Sequence, residues 1–188
     1  MRYFIVLLCG LCVACGRDRQ PSSGQAAPSA SAISLGIEVG SCSDIVACER
    51  ECDAGSPDRC RRLAASYAFG KGVDKDETRA TALYERACSM ADPSSCVFAG
   101  HMSEYARGVP KDYTKAARFY ERGCDLKWPA ACYNLALMYE RGAGVPLDRA
   151  KAAGLYQITC TAGAQQSCEK ANEMRAPAPA LSPDAAPR

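Results

Sequence analysis

Residues 132–168 read CYNLALMYERGAGVPLDRAKAAGLYQITCTAGAQQSC, and this stretch decides the fold. Leu135, Ala136 and Tyr139 recur at helical spacing, and Gly142 and Gly144 then break the helix and supply the positive φ of a tight turn. Val145 plugs that turn. Asp148 is a good N-cap for a second helix, on which Ala152, Leu155, Tyr156 and Thr159 follow at three- and four-residue steps. The unit therefore reads as two antiparallel helices, with small Ala152 permitting close approach.

Working outward, the same pattern repeats every 36 residues. Cys52, Cys88, Cys124 and Cys160 keep that step, as do Cys60, Cys96, Cys132 and Cys168, so each pair has the spacing C-x7-C. Gly72, Gly108 and Gly144, Val73, Val109 and Val145, Asp76, Asp112 and Asp148, Ala80, Ala116 and Ala152, and Tyr84, Tyr120 and Tyr156 share the register. A fixed period of this size is the mark of a solenoid. The joins Ser56-Pro57-Asp58, Asp92-Pro93 and Trp128-Pro129 place proline in a first helical turn, where its missing N–H is harmless. Helices are expected at 59–69, 77–90, 94–105, 112–126, 130–141, 148–161 and 165–174.

The pattern small/Leu-Gly-x-x-Tyr-x-x-Gly-x-Gly-Val-x-x-Asp-x-x-Lys-Ala-x-x-x-Tyr resembles the Sel-one-like repeats, relatives of the tetratricopeptide repeats. It runs over 60–95, 96–131 and 132–167, and the C-x7-C pairs make the chain similar to the cysteine-rich Hcp-type branch, often classed as a β-lactamase family. The resemblance implies an all-α, right-handed α/α superhelical solenoid of helix pairs stapled by disulfides. It also implies penicillin binding or weak β-lactamase activity as an alternative function. The middle repeat departs from the pattern, with Ser103 where Tyr67 and Tyr139 stand and Ala106 where Gly70 and Gly142 stand. Its turn is expected to be locally altered.

A cysteine in the last turn of one helix and another in the first turn of the next come within disulfide reach across a short bend. The expected bridges are Cys52–Cys60, Cys88–Cys96, Cys124–Cys132 and Cys160–Cys168. Cys42 and Cys48 precede the first full unit, in a half-repeat cap at 41–59 where Cys48 falls in the register of Tyr84; a bridge between them is expected. Zinc at Cys42, Cys48, Cys52 and Cys60 is the competing reading, which an oxidising compartment disfavours. No metal or other cofactor is expected.

The chain has 188 residues, 13 of them Cys and one His, with 23 Lys+Arg against 21 Asp+Glu. A net charge of +2 gives no dominant polyanion-binding character and speaks against nucleic acid as partner. Met1-Arg2-Tyr3 followed by the apolar run Phe4–Ala14 reads as a signal peptide, too short to span a bilayer. Its end, Leu11-Cys12-Val13-Ala14-Cys15-Gly16, resembles a bacterial lipobox with Cys15 as the acylated residue, although Cys12 stands where Leu is usual; ordinary cleavage near Ala14 is the other reading. Gly16 after Cys15 resembles the outer-membrane sorting pattern. The expected organisation is a lipoprotein signal peptide at 1–15, a Ser/Ala/Gly/Pro-rich tether at 16–40, the repeat domain at 41–175 with a terminal helix at 165–175, and a Pro/Ala-rich tail at 176–188.

HExxH, a P-loop and GxSxG are absent, so no catalytic residue is assigned. Ser167-Cys168-Glu169-Lys170 has the S-x-x-K spacing but lacks the S-D-N and K-T-G companions, and Cys168 is expected in a bridge. His101 replaces Ala65 and Leu137 of the neighbouring units and reads as a surface or groove residue. By register Phe69, Phe98, His101, Met102 and Tyr105, with Leu137 and Met138, lie on one side of the successive first helices. Apolar and aromatic groups there point to a groove for an envelope protein or peptide, rimmed by Arg62, Asn134 and Arg141. Packing between adjacent helices is the plainer reading, above all for Leu137 and Met138.

Overall fold

A computed structural model describes residues 41–176. The expected signal segment with Cys15, the tether 16–40 and the tail from 177 onward lie outside the described residues. Among the described residues eight helices follow one another: α1 (Ile45–Asp53), α2 (Pro57–Phe69), α3 (Glu77–Ser89), α4 (Pro93–Glu104), α5 (Tyr113–Asp125), α6 (Pro129–Arg141), α7 (Arg149–Thr161) and α8 (Gln165–Arg175). Among the described residues there is no strand. The architecture is an all-α solenoid in which α2–α3, α4–α5 and α6–α7 are the helix pairs.

Local chemistry sets the helix boundaries. Asp76, Asp112 and Asp148 cap the second helices by accepting from the backbone N–H of Arg79, Lys115 and Lys151. The first helices α2, α4 and α6 begin with Pro57, Pro93 and Pro129. Each intra-repeat loop is closed by one backbone bond, from Asp76 N–H to the Tyr67 carbonyl, Asp112 N–H to Ser103 and Asp148 N–H to Tyr139, at 2.9–3.0 Å.

The middle turn is therefore not altered as expected. Ala106 adopts φ 55°, beside 65° at Gly70 and 67° at Gly142, and the closing bond is retained. Ala106 itself is exposed in the left-handed region that its Cβ disfavours, and the residues after it are fixed on the preceding repeat, the Arg107 carbonyl accepting from Thr81 Oγ1 at 2.9 Å and Gly108 lying against Glu77.

The core is a column of tyrosines and alanines. Tyr84, Tyr120 and Tyr156 are fully buried against Ala80, Ala116 and Ala152, which expose nothing. At Gly100 even a methyl group would stand 2.4 Å from the Tyr120 ring, so the middle repeat takes glycine where Ala64 and Ala136 serve elsewhere. Successive loops abut backbone to backbone: a Cβ on Gly144 would lie 2.3 Å from the Tyr113 carbonyl group.

Five disulfides join Cys42–Cys48, Cys52–Cys60, Cys88–Cys96, Cys124–Cys132 and Cys160–Cys168. The four C-x7-C bridges have Cα separations of 4.6–4.8 Å and tie each second helix to the first helix of the next unit. Cys42, Cys48, Cys52 and Cys60 are all consumed, leaving no thiolate among them for zinc. This density of disulfides marks a chain that matures in an oxidising, exported compartment. No helix among the described residues is long and apolar enough to cross a membrane.

Both ends of the array are closed. Cys48 of α1 holds the register of Tyr84 and is bridged to Cys42, whose N–H donates to Ser66 Oγ at 3.0 Å. At the other end Asn172 of α8 is exposed where Ala64, Gly100 and Ala136 are buried, a polar residue suited to solvent.

Candidate functional site

The first helices gather on one side of the stack, where α4 reaches α6 directly. There His101 of α4 and Asn134 of α6 meet, with Asn134 Nδ2 3.2 Å from His101 Nε2. The imidazole is half-buried and lies edge-on to Tyr120 at 5.7 Å and Tyr105 at 6.0 Å between centroids. Tyr105, one residue past the end of α4, is 63% exposed. Beneath this cluster the Tyr120 hydroxyl donates to Glu104 at 2.7 Å.

Desolvation is the largest influence on His101 and lowers its pKa below the ordinary 6.5, with Arg107 adding to it and Glu104 pulling the other way. A neutral ring accepts from the Asn134 amide at Nε2 and carries its proton on Nδ1. Desolvation also drives the Tyr120 phenol far up, seconded by its bond to the Glu104 carboxylate, so Tyr120 stays a donor throughout the physiological range.

The other residues assigned to the groove divide between lining and core. Phe98 is half-buried and stacks on Tyr84 at 4.8 Å. Phe69 is exposed at the last position of α2, with the Lys71 ammonium 5.8 Å from its ring centroid. Met102 does not line the face: at 3% exposure it packs into the cluster of Leu63, Tyr67 and Tyr84, because its position on α4 turns toward the neighbouring pair. Met138 is likewise core, and Leu137 packs against the Ala152–Tyr156 cluster. Of the rim, Arg62 is held by Asp58 at 2.7 Å, Asn134 is engaged with His101, and Arg141 is exposed.

An amide and two phenols surround the imidazole, a set of donors, acceptors and ring faces suited to contacts with a polar or aromatic ligand. The S-x-x-K residues are closed off: Ser167 is fully buried, Cys168 is bridged, and Lys170 is bound to the Glu140 carboxylate at 3.2 Å. The S-x-x-K spacing thus gives the β-lactam reading no accessible serine.

Sequence reasoning passed over two sets of residues. Glu104 and Glu140 accept from Tyr120 and Tyr156, whereas Ala68 at the same register leaves Tyr84 without such a carboxylate. Arg86 donates to the Cys52 carbonyl at 3.1 Å, and Arg122 to those of Cys88 and Ser89 at 3.0 and 2.8 Å, each closing the C-terminus of the preceding second helix. In both cases the 36-residue step was the available signal.

The Sel1 repeat family model matches residues 60–92, 93–127 and 129–163, more than half of the chain. The chain belongs to the Sel1 repeat family. Among solved structures, a Sel1 repeat protein from Oxalobacter formigenes is 27% identical with a TM-score of 0.63, over 69% of this chain and 98% of that one. A protective antigen of uropathogenic Escherichia coli strains displaying an SLR fold is 24% identical with a TM-score of 0.63, over 66% of this chain. This Sel1 repeat chain spans only 27% of that antigen's length. The cysteine rich protein B of Helicobacter pylori is 23% identical with a TM-score of 0.53, over 66% of this chain and 90% of that one. The last two likenesses concern the fold alone. No curated protein matches the chain.

Proposed function

We propose that this Sel1 repeat protein is an interaction module of the bacterial cell envelope that binds a protein or peptide on its first-helix face. The carrying observation is the His101–Asn134 contact with exposed Tyr105 beside it: a polar and aromatic cluster that spans two repeats and leaves part of its surface to solvent. Stapled repeats give such a face rigidity, so little ordering opposes binding.

In this reading residues 1–15 are a lipoprotein signal peptide, Cys15 carries the lipid anchor, residues 16–40 are the tether to the domain at 41–175, and residues 176–188 are the tail. Placement in the outer membrane facing the periplasm follows from Gly16 at the sorting position.

A photo-crosslinking residue at Tyr105, with Glu121 on the exposed side of α5 as the comparison site, tests the binding face in cells. A discrete adduct formed from position 105, absent from position 121 and lost when Asn134→Ala is added is the expected result. Equal adducts from both positions defeat the reading. Labelling of cells with a fatty-acid analogue tests the anchor separately: incorporation into the parent chain and none into Cys15→Ala is the expected result, and equal labelling of both, or none of either, defeats it.

A further inference from the structure

We propose that the edge of the solenoid formed by its three intra-repeat loops docks on an anionic phospholipid bilayer. This edge shares Phe69, Tyr105 and Arg141 with the margin of the first-helix face, but the bilayer reading does not depend on what that face binds.

The near-neutral total charge conceals a segregation. Residues 69–79, 105–115 and 141–151, each comprising a loop and the helix ends beside it, carry nine Lys and Arg against five Asp and Glu. That is a net of +4 in a chain whose total is +2. Three of the five carboxylates, Asp76, Asp112 and Asp148, are occupied as N-caps, and Glu77 is held by Lys75 and Arg107. Lys71, Lys111 and Arg141 are exposed and form no ion pair among the described residues.

The same segments hold four of the six exposed large hydrophobic residues found among the described residues: Phe69, Tyr105, Tyr113 and Leu147. They alternate with the free cations. Lys71 reaches over Phe69, and Lys111 lies 4.7 Å from the centroid of Tyr113. The loops form one continuous edge, since Gly108 sits against the backbone of Glu77 and Thr78, Thr78 Oγ1 donates to the Gly108 carbonyl at 3.0 Å, and Gly144 sits against Tyr113.

Exposed aromatic and leucine side chains between unpaired cations suit a lipid headgroup layer, where rings enter the interface while ammonium and guanidinium groups meet phosphates. An acidic peptide satisfies the charges but gives Phe69 and Leu147 no apolar phase to enter. A bilayer satisfies both.

The test is co-sedimentation of the full chain with vesicles of phosphatidylcholine alone and of phosphatidylcholine with phosphatidylglycerol. The apolar run 4–14 is common to every chain compared, so the difference between variants is the readout. Lys71→Glu with Lys111→Glu is expected to weaken partitioning onto the anionic vesicles by at least about tenfold, with added salt doing the same to the parent chain. Phe69→Ser with Leu147→Ser is expected to weaken it as well, and Arg50→Glu with Lys127→Glu, in the last turn of α1 and in the inter-repeat turn beyond the far end of α5, to leave it unchanged. Far-ultraviolet circular dichroism verifies that each variant is folded. Equal partitioning of all variants, or no preference for anionic over neutral vesicles, overturns the proposal. So does full competition by soluble polyglutamate with the Phe69→Ser, Leu147→Ser chain still bound, which makes the edge a site for acidic polymer.

Discussion

Asn134 on α6 holds its amide nitrogen 3.2 Å from Nε2 of His101 on α4, and so joins two successive repeats through a ring that must be neutral to accept. Because the folded pKa of His101 lies below its ordinary 6.5, the unfolded chain binds more protons over the interval between the two values. The stability linked to this residue is therefore complete above about pH 6.5 and is lost as the pH falls through that interval. Thermal melts across this range are expected to show the decline, and His101→Gln, which cannot titrate, to flatten it. An unchanged slope in the variant assigns the decline to other groups.

Tyr120 and Tyr84 are equivalent in register and different in bonding, which makes them an internal control. Tyr120→Phe removes a donor to a carboxylate and is expected to cost about 1–2 kcal/mol. Tyr84→Phe, at a hydroxyl with no hydrogen-bond partner among the described residues, is expected to cost less than about 0.5 kcal/mol. Chemical denaturation of the two variants gives the comparison directly.

Glycines of this array differ in what they do. Gly144 combines φ 69° with a backbone contact that admits no Cβ, so Gly144→Ala is expected to destabilise by at least about 2 kcal/mol. Gly154 lies within α7, and a methyl group there would meet nothing within 4 Å, so Gly154→Ala is expected to stabilise by about 0.5–1 kcal/mol. Opposite shifts in Tm are the outcome to measure.

The inter-repeat turns hold a left-handed residue at one register position: Gly55, Ala91, Lys127 and Gly163. The two non-glycine members, at φ 65° and 62°, carry Cβ strain that the outer two avoid. Ala91→Gly and Lys127→Gly are each expected to raise stability by up to about 1 kcal/mol, read as a higher midpoint in denaturant.

Each C-x7-C bridge closes a ring of about nine residues, which on the chain-entropy model stabilises by about 2.6 kcal/mol. Cys88→Ser with Cys96→Ser is expected to lose that order of stability, and full reduction to lower Tm steeply and open the repeats to protease. A reduced chain melting within a few degrees of the oxidised one refutes the assignment of stability to these bridges.

The repeat was legible because its signals are local and recur. The 36-residue step of Gly144, Asp148, Ala152 and Tyr156 reflects turn, cap, close approach and core in one unit, and the structure places each in that role. The face was legible only in part. Register put Met102 beside His101, but a first helix has two buried flanks, one on its own partner and one on the next pair, and periodicity does not separate a residue at the margin of the groove from one just inside the core. The alanine at 106 misled for a related reason: local preference argued for a changed turn, whereas the contacts of Arg107 and Gly108 with the preceding repeat keep its course.

By itself the sequence determined the helix pairs, their period and the candidate cysteine partners, because caps, turn glycines and C-x7-C spacing act over a few residues. Only the tertiary structure decided which side chains stand together across repeats: His101 with Asn134, Tyr120 with Glu104, and three loops aligned into one basic, aromatic edge. Those juxtapositions depend on the rotation and rise from one helix pair to the next, quantities set by packing of whole faces and written in no single stretch of residues.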